Sequence, residues 1–239
     1  MFRMSILAVS AIVAMSAAAD ARPQTSGKTD QAHQARVQAQ SAPRLAAKAA
    51  DRQVLKSALY IEATKLGAAG KYQRAAKHLD RVVAKFPTSP VALYTRALAY
   101  HNLGNNDLAV RDTTRALALD PTSANSYFVR GAALQGKGDF DGAIRDYGQV
   151  VALVPDHESA YLAMGTAYFS LEAYDHAVAS FDKAIELNKT EPTYYLLRGL
   201  SYREDGKSAR AIADLQEALR LDPKNEQATA LLDEMQPKT

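Results

Sequence analysis

A period of thirty-four residues constrains this chain more than any other feature. Leu-Asp-Pro stands at Leu119-Asp120-Pro121 and again at Leu221-Asp222-Pro223, and alignment on the proline gives Pro87, Pro121, Pro155, Lys189 and Pro223 at intervals of thirty-four. Five units therefore begin at Lys56, Pro90, Ala124, Glu158 and Pro192. Self-similarity at this period marks a solenoid, in which each unit buries its apolar face only by stacking on its neighbours.

The contents of a unit read as two helices. Position eight is always small (Ala63, Ala97, Gly131, Gly165, Gly199) and position twenty is always alanine (Ala75, Ala109, Ala143, Ala177, Ala211). Helices approach closely where small residues face each other, so these two positions are expected to form the contact between a first helix, A, and a second, B. Larger residues flank the contact on one helical stripe: Leu59, Leu93, Tyr127, Tyr161 and Tyr195 at position four, then Leu66, Tyr100, Leu134, Tyr168 and Tyr202 at position eleven. Gly70, Gly104, Gly138 and Gly206 at position fifteen suit a left-handed residue that ends helix A; Glu172 breaks that pattern in the fourth unit. Proline stops helix B, and two residues later Ser89, Ser123 and Asn225 are good N-caps for the next helix, whereas His157 and Glu191 are poorer. Pro90 and Pro192 then occupy the first helical position, which tolerates proline.

Positions seven and twenty-three vary together. Arg96 goes with Asp112, Arg130 with Asp146 and Arg198 with Asp214, while Glu62 and Met164 go with His78 and Ser180. In antiparallel helices touching at positions eight and twenty these residues are neighbours, which predicts an A-to-B ion pair in three units. Exposed pairs of this kind contribute about 0.5 to 1 kcal/mol each. The alternative is a ladder of arginines for an acidic ligand. The fourth unit has lost the proline, the glycine and the ion pair together, and is expected to be the most adaptable part of the array.

This set of small, tyrosine, glycine, alanine and proline positions, in phase from Lys56 to Asn225, resembles the tetratricopeptide repeat family, with Leu or Tyr where the family usually has tryptophan at position four. The resemblance implies an all-α fold, a right-handed superhelical solenoid of about five helical hairpins. A C-terminal capping helix is expected over residues 226–236, with Leu231, Leu232 and Met235 turned inward. It also implies that the A helices line a concave groove binding a protein or peptide partner. The groove residues by that register are Tyr60, Tyr94, Phe128, Leu162 and Leu196 at position five, with Leu98 at position nine and His101, Gln135, Phe169 and Arg203 at position twelve. Some members clamp a C-terminal carboxylate with lysines and asparagines there. No lysine occupies these positions, so the expected groove is apolar and aromatic, suited to a peptide with hydrophobic anchors. The alternative is that several of these side chains pack on the neighbouring unit or on the N-terminal segment.

The N-terminus is a different material. Residues 1–21 carry Arg3, an apolar run from Ile6 to Met15 and small residues at Ala17, Ala19 and Ala21, the pattern of a secretory signal cleaved after Ala19 or Ala21. A retained anchor would need about 20 apolar residues, more than precede Asp20 and Arg22. Residues 22–51, rich in Gln and Ala, read as a flexible linker, leaving 52–239 as the repeat domain. The character of the signal suggests a bacterial exported protein, periplasmic or secreted, without a stable membrane span after cleavage. With no cysteine, it has no disulfides.

Charge and motifs limit the function. The net charge of +3 comes from the N-terminal segment: residues 22–56 hold seven basic and two acidic side chains, residues 57–239 twenty-one and twenty-three. The repeat part therefore offers no nucleic-acid surface. No HExxH, GxSxG or phosphate-cradling GxxxxGK[ST] occurs, and the dispersed histidines do not have metal-ligand spacing. Gly136 to Ala143, GKGDFDGA, falls on the A-to-B turn and reads as a glycine stop followed by a helix cap. The expectation is a scaffold or adaptor, without catalytic residues, metal or cofactor, that binds a protein or peptide in the cell envelope. The alternative is an accessory or regulatory subunit of an envelope enzyme or secretion complex.

Overall fold

The computed structural model describes residues 42–236. The expected signal segment and residues 22–41 of the expected linker lie outside the described residues. The described chain is helical throughout, with no strand: α1 (42–55), α2 (Ala58–Ala68), α3 (Tyr72–Lys85), α4 (Pro90–Asn102), α5 (Asn106–Leu119), α6 (Ala124–Gly136), α7 (Phe140–Leu153), α8 (Glu158–Ser170), α9 (Tyr174–Leu187), α10 (Pro192–Glu204), α11 (Ser208–Leu221) and α12 (Glu226–Met235). From α2 to α11 these are five A–B hairpins. Each B helix also packs on the next A helix, which makes a superhelical solenoid. No described helix is long and apolar enough to cross a membrane.

Punctuation sets these boundaries. Gly70, Gly104, Gly138 and Gly206 have φ of 69°, 74°, 81° and 73°. In the second unit this left-handed residue lets Gly104 N–H bond His101 O and Asn105 N–H bond Tyr100 O, both at 2.9 Å, closing the orphan carbonyls of α4. Glu172 adopts the same conformation at φ 59°, and its turn makes the corresponding bonds to Phe169 O and Tyr168 O at 3.0 Å. The fourth turn therefore keeps its geometry and carries the strain of a left-handed side chain, about 1–2 kcal/mol. The caps expected to be poor also work: His157 Nδ1 accepts from Ala160 N–H at 3.2 Å, and Glu191 Oε1 from Thr193 N–H at 3.3 Å. Asp139 Oδ1 accepts from Gly142 N–H at 2.9 Å, so GKGDFDGA is indeed the turn into α7.

Within hairpins, position twenty is buried throughout, but position eight meets a side chain the register argument did not name. A Cβ added at Gly131 would lie 2.8 Å from Tyr147 Cε1, and one at Gly165 2.5 Å from Phe181 Cε1. The notch at position eight thus receives the residue at position twenty-four. Where position eight is alanine, as at Ala63 and Ala97, position twenty-four is the smaller Leu79 or Thr113. The fifth unit departs from this matching: Gly199 stands opposite Leu215, and an added Cβ there would meet its Cγ only at 3.4 Å.

The three predicted ion pairs are present, and each is bidentate. Arg96 donates to Asp112 at 2.6 and 3.0 Å, Arg130 to Asp146 at 2.7 and 2.7 Å, and Arg198 to Asp214 at 2.8 and 2.7 Å. They are not exposed pairs: the Asp112 side chain is wholly buried and that of Arg96 is 10% exposed. Burial is the strongest single influence on Arg96 and would lower its pKa, but the hydrogen bonds and charge of Asp112, with Tyr100 and Asp80, together turn the net direction up. The remaining amino group of each arginine reaches back to position twenty-five of the preceding unit. Arg96 meets Asp80 at 3.1 Å, Arg198 meets Asp182 at 2.5 Å, and Arg130 approaches Thr114 at 3.5 Å. The arginines therefore tie units together as well as hairpins, which leaves no free ladder for an acidic ligand.

Both ends of the array are covered. Leu231 of α12 is buried and Leu232 and Met235 are partly so, against Leu196, Leu215 and Ala218. At the other end the expectation of a flexible linker over 22–51 fails for residues 42–51, which are helical. Helix α1 has no apolar periodicity to announce it; docking stabilises it. Val54 is fully buried among Val82, Val83, Ala92, Leu93 and Ala116, and Leu59 packs on the same cluster. Asp51 accepts from Ser89 Oγ and, at 3.1 Å, from Val91 N–H, a carboxylate at the N-terminus of α4. Position four is leucine in the two units that contribute to this cluster and tyrosine in the other three.

Candidate peptide-binding groove

Helix-A positions five, nine and twelve supply the candidate groove, and their fates differ along the array. At the C-terminal end Leu196 is buried under α12 and belongs to the core, so it is not available to a partner. Leu162 is half-buried against Ala184, Ile185 and Tyr194. Phe128 stacks on His157, the N-cap of α8, ring centroids 5.1 Å apart, and lies 5.7 Å from Tyr147 of its own hairpin. These three side chains pack within the array: Leu196 under α12, Leu162 partly on the next unit, and Phe128 on its own hairpin and the N-cap of α8.

Position twelve carries a larger side chain in four units. Phe169 meets Tyr174 edge-on at 5.5 Å, and His101 Nδ1 lies 3.1 Å from Asn106 Oδ1. Gln135 accepts from Tyr147 Oη at 3.0 Å and donates to Thr166 Oγ1 at 3.2 Å. Arg203 pairs with Glu204 at 2.7 Å and approaches Glu234 of α12 at 3.6 Å. His101 and Phe169 thus lie beside the start of their own helix B, Gln135 bridges to the next unit, and Arg203 turns toward α12.

The first unit has no such side chain, because its twelfth residue is Gly67, and a Cβ there would meet nothing. The space it leaves is a cavity of about 500 Å³ between α2, α3 and α4, a volume typical of ligand pockets. Tyr60, Tyr72, Tyr94 and Leu98 form its walls, Ala75 and Leu79 belong to its buried lining, and Thr64, Thr95 and Asn102 add polar groups. Every residue lining it is uncharged. Tyr60 Oη and Thr95 Oγ1 are 3.2 Å apart, and Asn102 Nδ2 donates to Leu98 O at 2.8 Å, so part of the polar capacity is already used. Burial, and to a lesser degree the neighbouring Tyr60, push the Tyr94 phenol above its usual range, which keeps it a protonated donor. Leu98 remains 36% exposed at the edge.

Three of the ten expected groove residues, Tyr60, Tyr94 and Leu98, thus converge on one cavity. By the same register Gly67 at position twelve and Thr64 at position nine also face the groove, and the glycine, at a position that elsewhere holds His, Gln, Phe or Arg, is what opens the cavity; Tyr72 comes from α3 and lies outside that register. No group of three or more His, Cys, Asp or Glu able to hold a metal occurs among the described residues.

Comparisons with known proteins agree with this architecture. Solved structures of similar fold include MamA from Desulfovibrio magneticus RS-1 (residues 41 to the end; 22% identity, 70% of this chain and 95% of that one, TM-score 0.66). The Thermus thermophilus repeat protein TTC0263 is another (23% identity, 77% and 98%, TM-score 0.56). A third is YrrB, described as a TPR protein with an unusual peptide-binding site (17% identity, 71% and 87%, TM-score 0.63). No curated protein sequence matches the chain significantly. Models of the tetratricopeptide repeat match residues 60–124, 128–192 and 192–225, most of the chain. On that match, carried by the same five units that the period defines, the protein belongs to the tetratricopeptide repeat family.

Proposed function

We propose that this protein is a non-enzymatic scaffold of the bacterial cell envelope that captures a protein or peptide partner through a hydrophobic anchor. The anchor enters the cavity between α2, α3 and α4. The carrying observation is that this cavity is open, uncharged and walled by Tyr60, Tyr72, Tyr94 and Leu98 because Gly67 leaves it unplugged. An uncharged wall disfavours a carboxylate clamp and favours an aromatic or aliphatic side chain, whose burial is the main source of affinity in such sites. The peptide-binding site described for YrrB supports the reading as a precedent on a similar fold. The envelope assignment rests on the signal-like residues 1–21.

Gly67→Phe is the discriminating variant. The new side chain has room, so the fold should persist, while peptides selected from a displayed random library should lose binding by fluorescence polarisation. Undiminished binding would move the site elsewhere. For the location, fractionation of cells expressing the tagged chain with and without residues 1–21 should move it from envelope to cytoplasm; identical partitioning would refute export.

A further inference from the structure

Three of the four joints between units are bolted by an arginine, and one is not. Arg96, Arg130 and Arg198 each hold position twenty-three of their own unit and reach position twenty-five of the unit before. At the joint between the third and fourth units those three positions are Met164, Ser180 and Gly148. Ser180 Oγ donates to His176 O within its own helix at 2.8 Å, and a Cβ at Gly148 would meet nothing within 4 Å, so the B-helix side of this joint holds no polar bridge and has open space. The A-helix side is different: Phe128 stacks on His157 at 5.1 Å, and Gln135 donates to Thr166 at 3.2 Å. The joint is pinned along its A helices and unbolted along its B helices.

We infer that the joint between the third and fourth units is the hinge of the solenoid, turning about the Phe128–His157 and Gln135–Thr166 contacts so that the curvature of the A-helix face changes between two stiffer blocks, residues 44–155 and 156–236. Packed elements joined by few bridges are where low-energy opening occurs, and shear or hinge motion uses such seams. The inference stands whether or not the α2–α4 cavity binds a peptide.

The chain has no cysteine, so paired cysteine substitutions take spin labels only where placed. Lys77, Arg145 and Ala213 occupy the same exposed position of the first, third and fifth units. Distance distributions from pulsed dipolar spectroscopy should be broader for the Arg145→Cys/Ala213→Cys pair, which spans the unbolted joint, than for Lys77→Cys/Arg145→Cys, which spans two bolted ones. Installing Gly148→Asp, Met164→Arg and Ser180→Asp should abolish the excess width. Conversely, Arg130→Met with Asp146→Ser should broaden the Lys77–Arg145 distribution, which decides the matter if the first variant does not fold. Equal widths in the parent protein would overturn the inference, as would unchanged widths in folded variants.

Discussion

The second and fourth units solve one packing problem with opposite chemistry. In the second, Ala97 faces Thr113, and the adjacent layer is the buried Arg96–Asp112 pair with Asp80 behind it. In the fourth, Gly165 opens a notch that Phe181 fills completely, and the adjacent layer is Met164 with Ser180. The backbone turns are alike in kind, Gly104 and Glu172 both being left-handed. The repeat is therefore specified by its turns, with the glycine notch matched to an aromatic ring in the third and fourth units, while the polarity of the layer between the helices is exchangeable.

The largest test of that statement is Arg96→Met, which gives the second unit the fourth unit's side chain but removes both short hydrogen bonds of the buried Asp112, leaving it only the long contacts of Arg111 at 3.4 Å and Arg115 at 3.9 Å. It should cost about 3–5 kcal/mol by urea denaturation, whereas the double variant with Asp112→Leu should be near neutral. A single variant as stable as the parent would mean that the buried pair is not what holds this hairpin. Next is Gly165→Ala, which drives a Cβ into the Phe181 ring and should cost about 1–3 kcal/mol. Adding Phe181→Leu, the pairing found at Ala63 and Leu79, should restore part of the loss; no recovery would mean that the Gly165 notch and the Phe181 ring are not matched to each other. Glu172→Gly removes left-handed strain and should stabilise the fourth unit by about 1 kcal/mol, visible as slower amide exchange in α8 and α9. The smallest effect is expected for Gly67→Ala in the first unit, a gain of about 0.5–1 kcal/mol, because a helical glycine gives way to alanine in open space. Unfolding of an array need not be two-state, so exchange measured unit by unit is the reference for each comparison.

The hairpins were legible because their signals are local and repeated. A glycine at position fifteen, an alanine at twenty and a proline at thirty-two act within a few residues, and five copies in phase remove ambiguity. The ion pairs were legible for a related reason: Arg and Asp sixteen residues apart covary between units. Helix α1 was not, because residues 42–51, though rich in alanine, carry no apolar periodicity; its order comes from Val54 and Asp51 reaching residues some thirty to sixty positions away. The groove was half legible. Position five places Tyr60 and Tyr94 on one cavity, whereas Leu196 at the same register is buried, since α12 packs over it while α1 packs on the cluster around Val82 and Leu93 and leaves the cavity open.

The order of residues alone dictates the repeat, the two helices of each unit, their stops and caps, and the partners of three arginines. Each of these depends on contacts inside one unit or one turn, where periodicity reports geometry directly. Three further properties emerge only when the units stack: the closure of the N-terminal end by α1, the second contact of each arginine with the unit before it, and the cavity that Gly67 leaves where other units carry a larger side chain. Those are properties of what lies across a joint, and they follow from the packing of whole units rather than from the pattern within one.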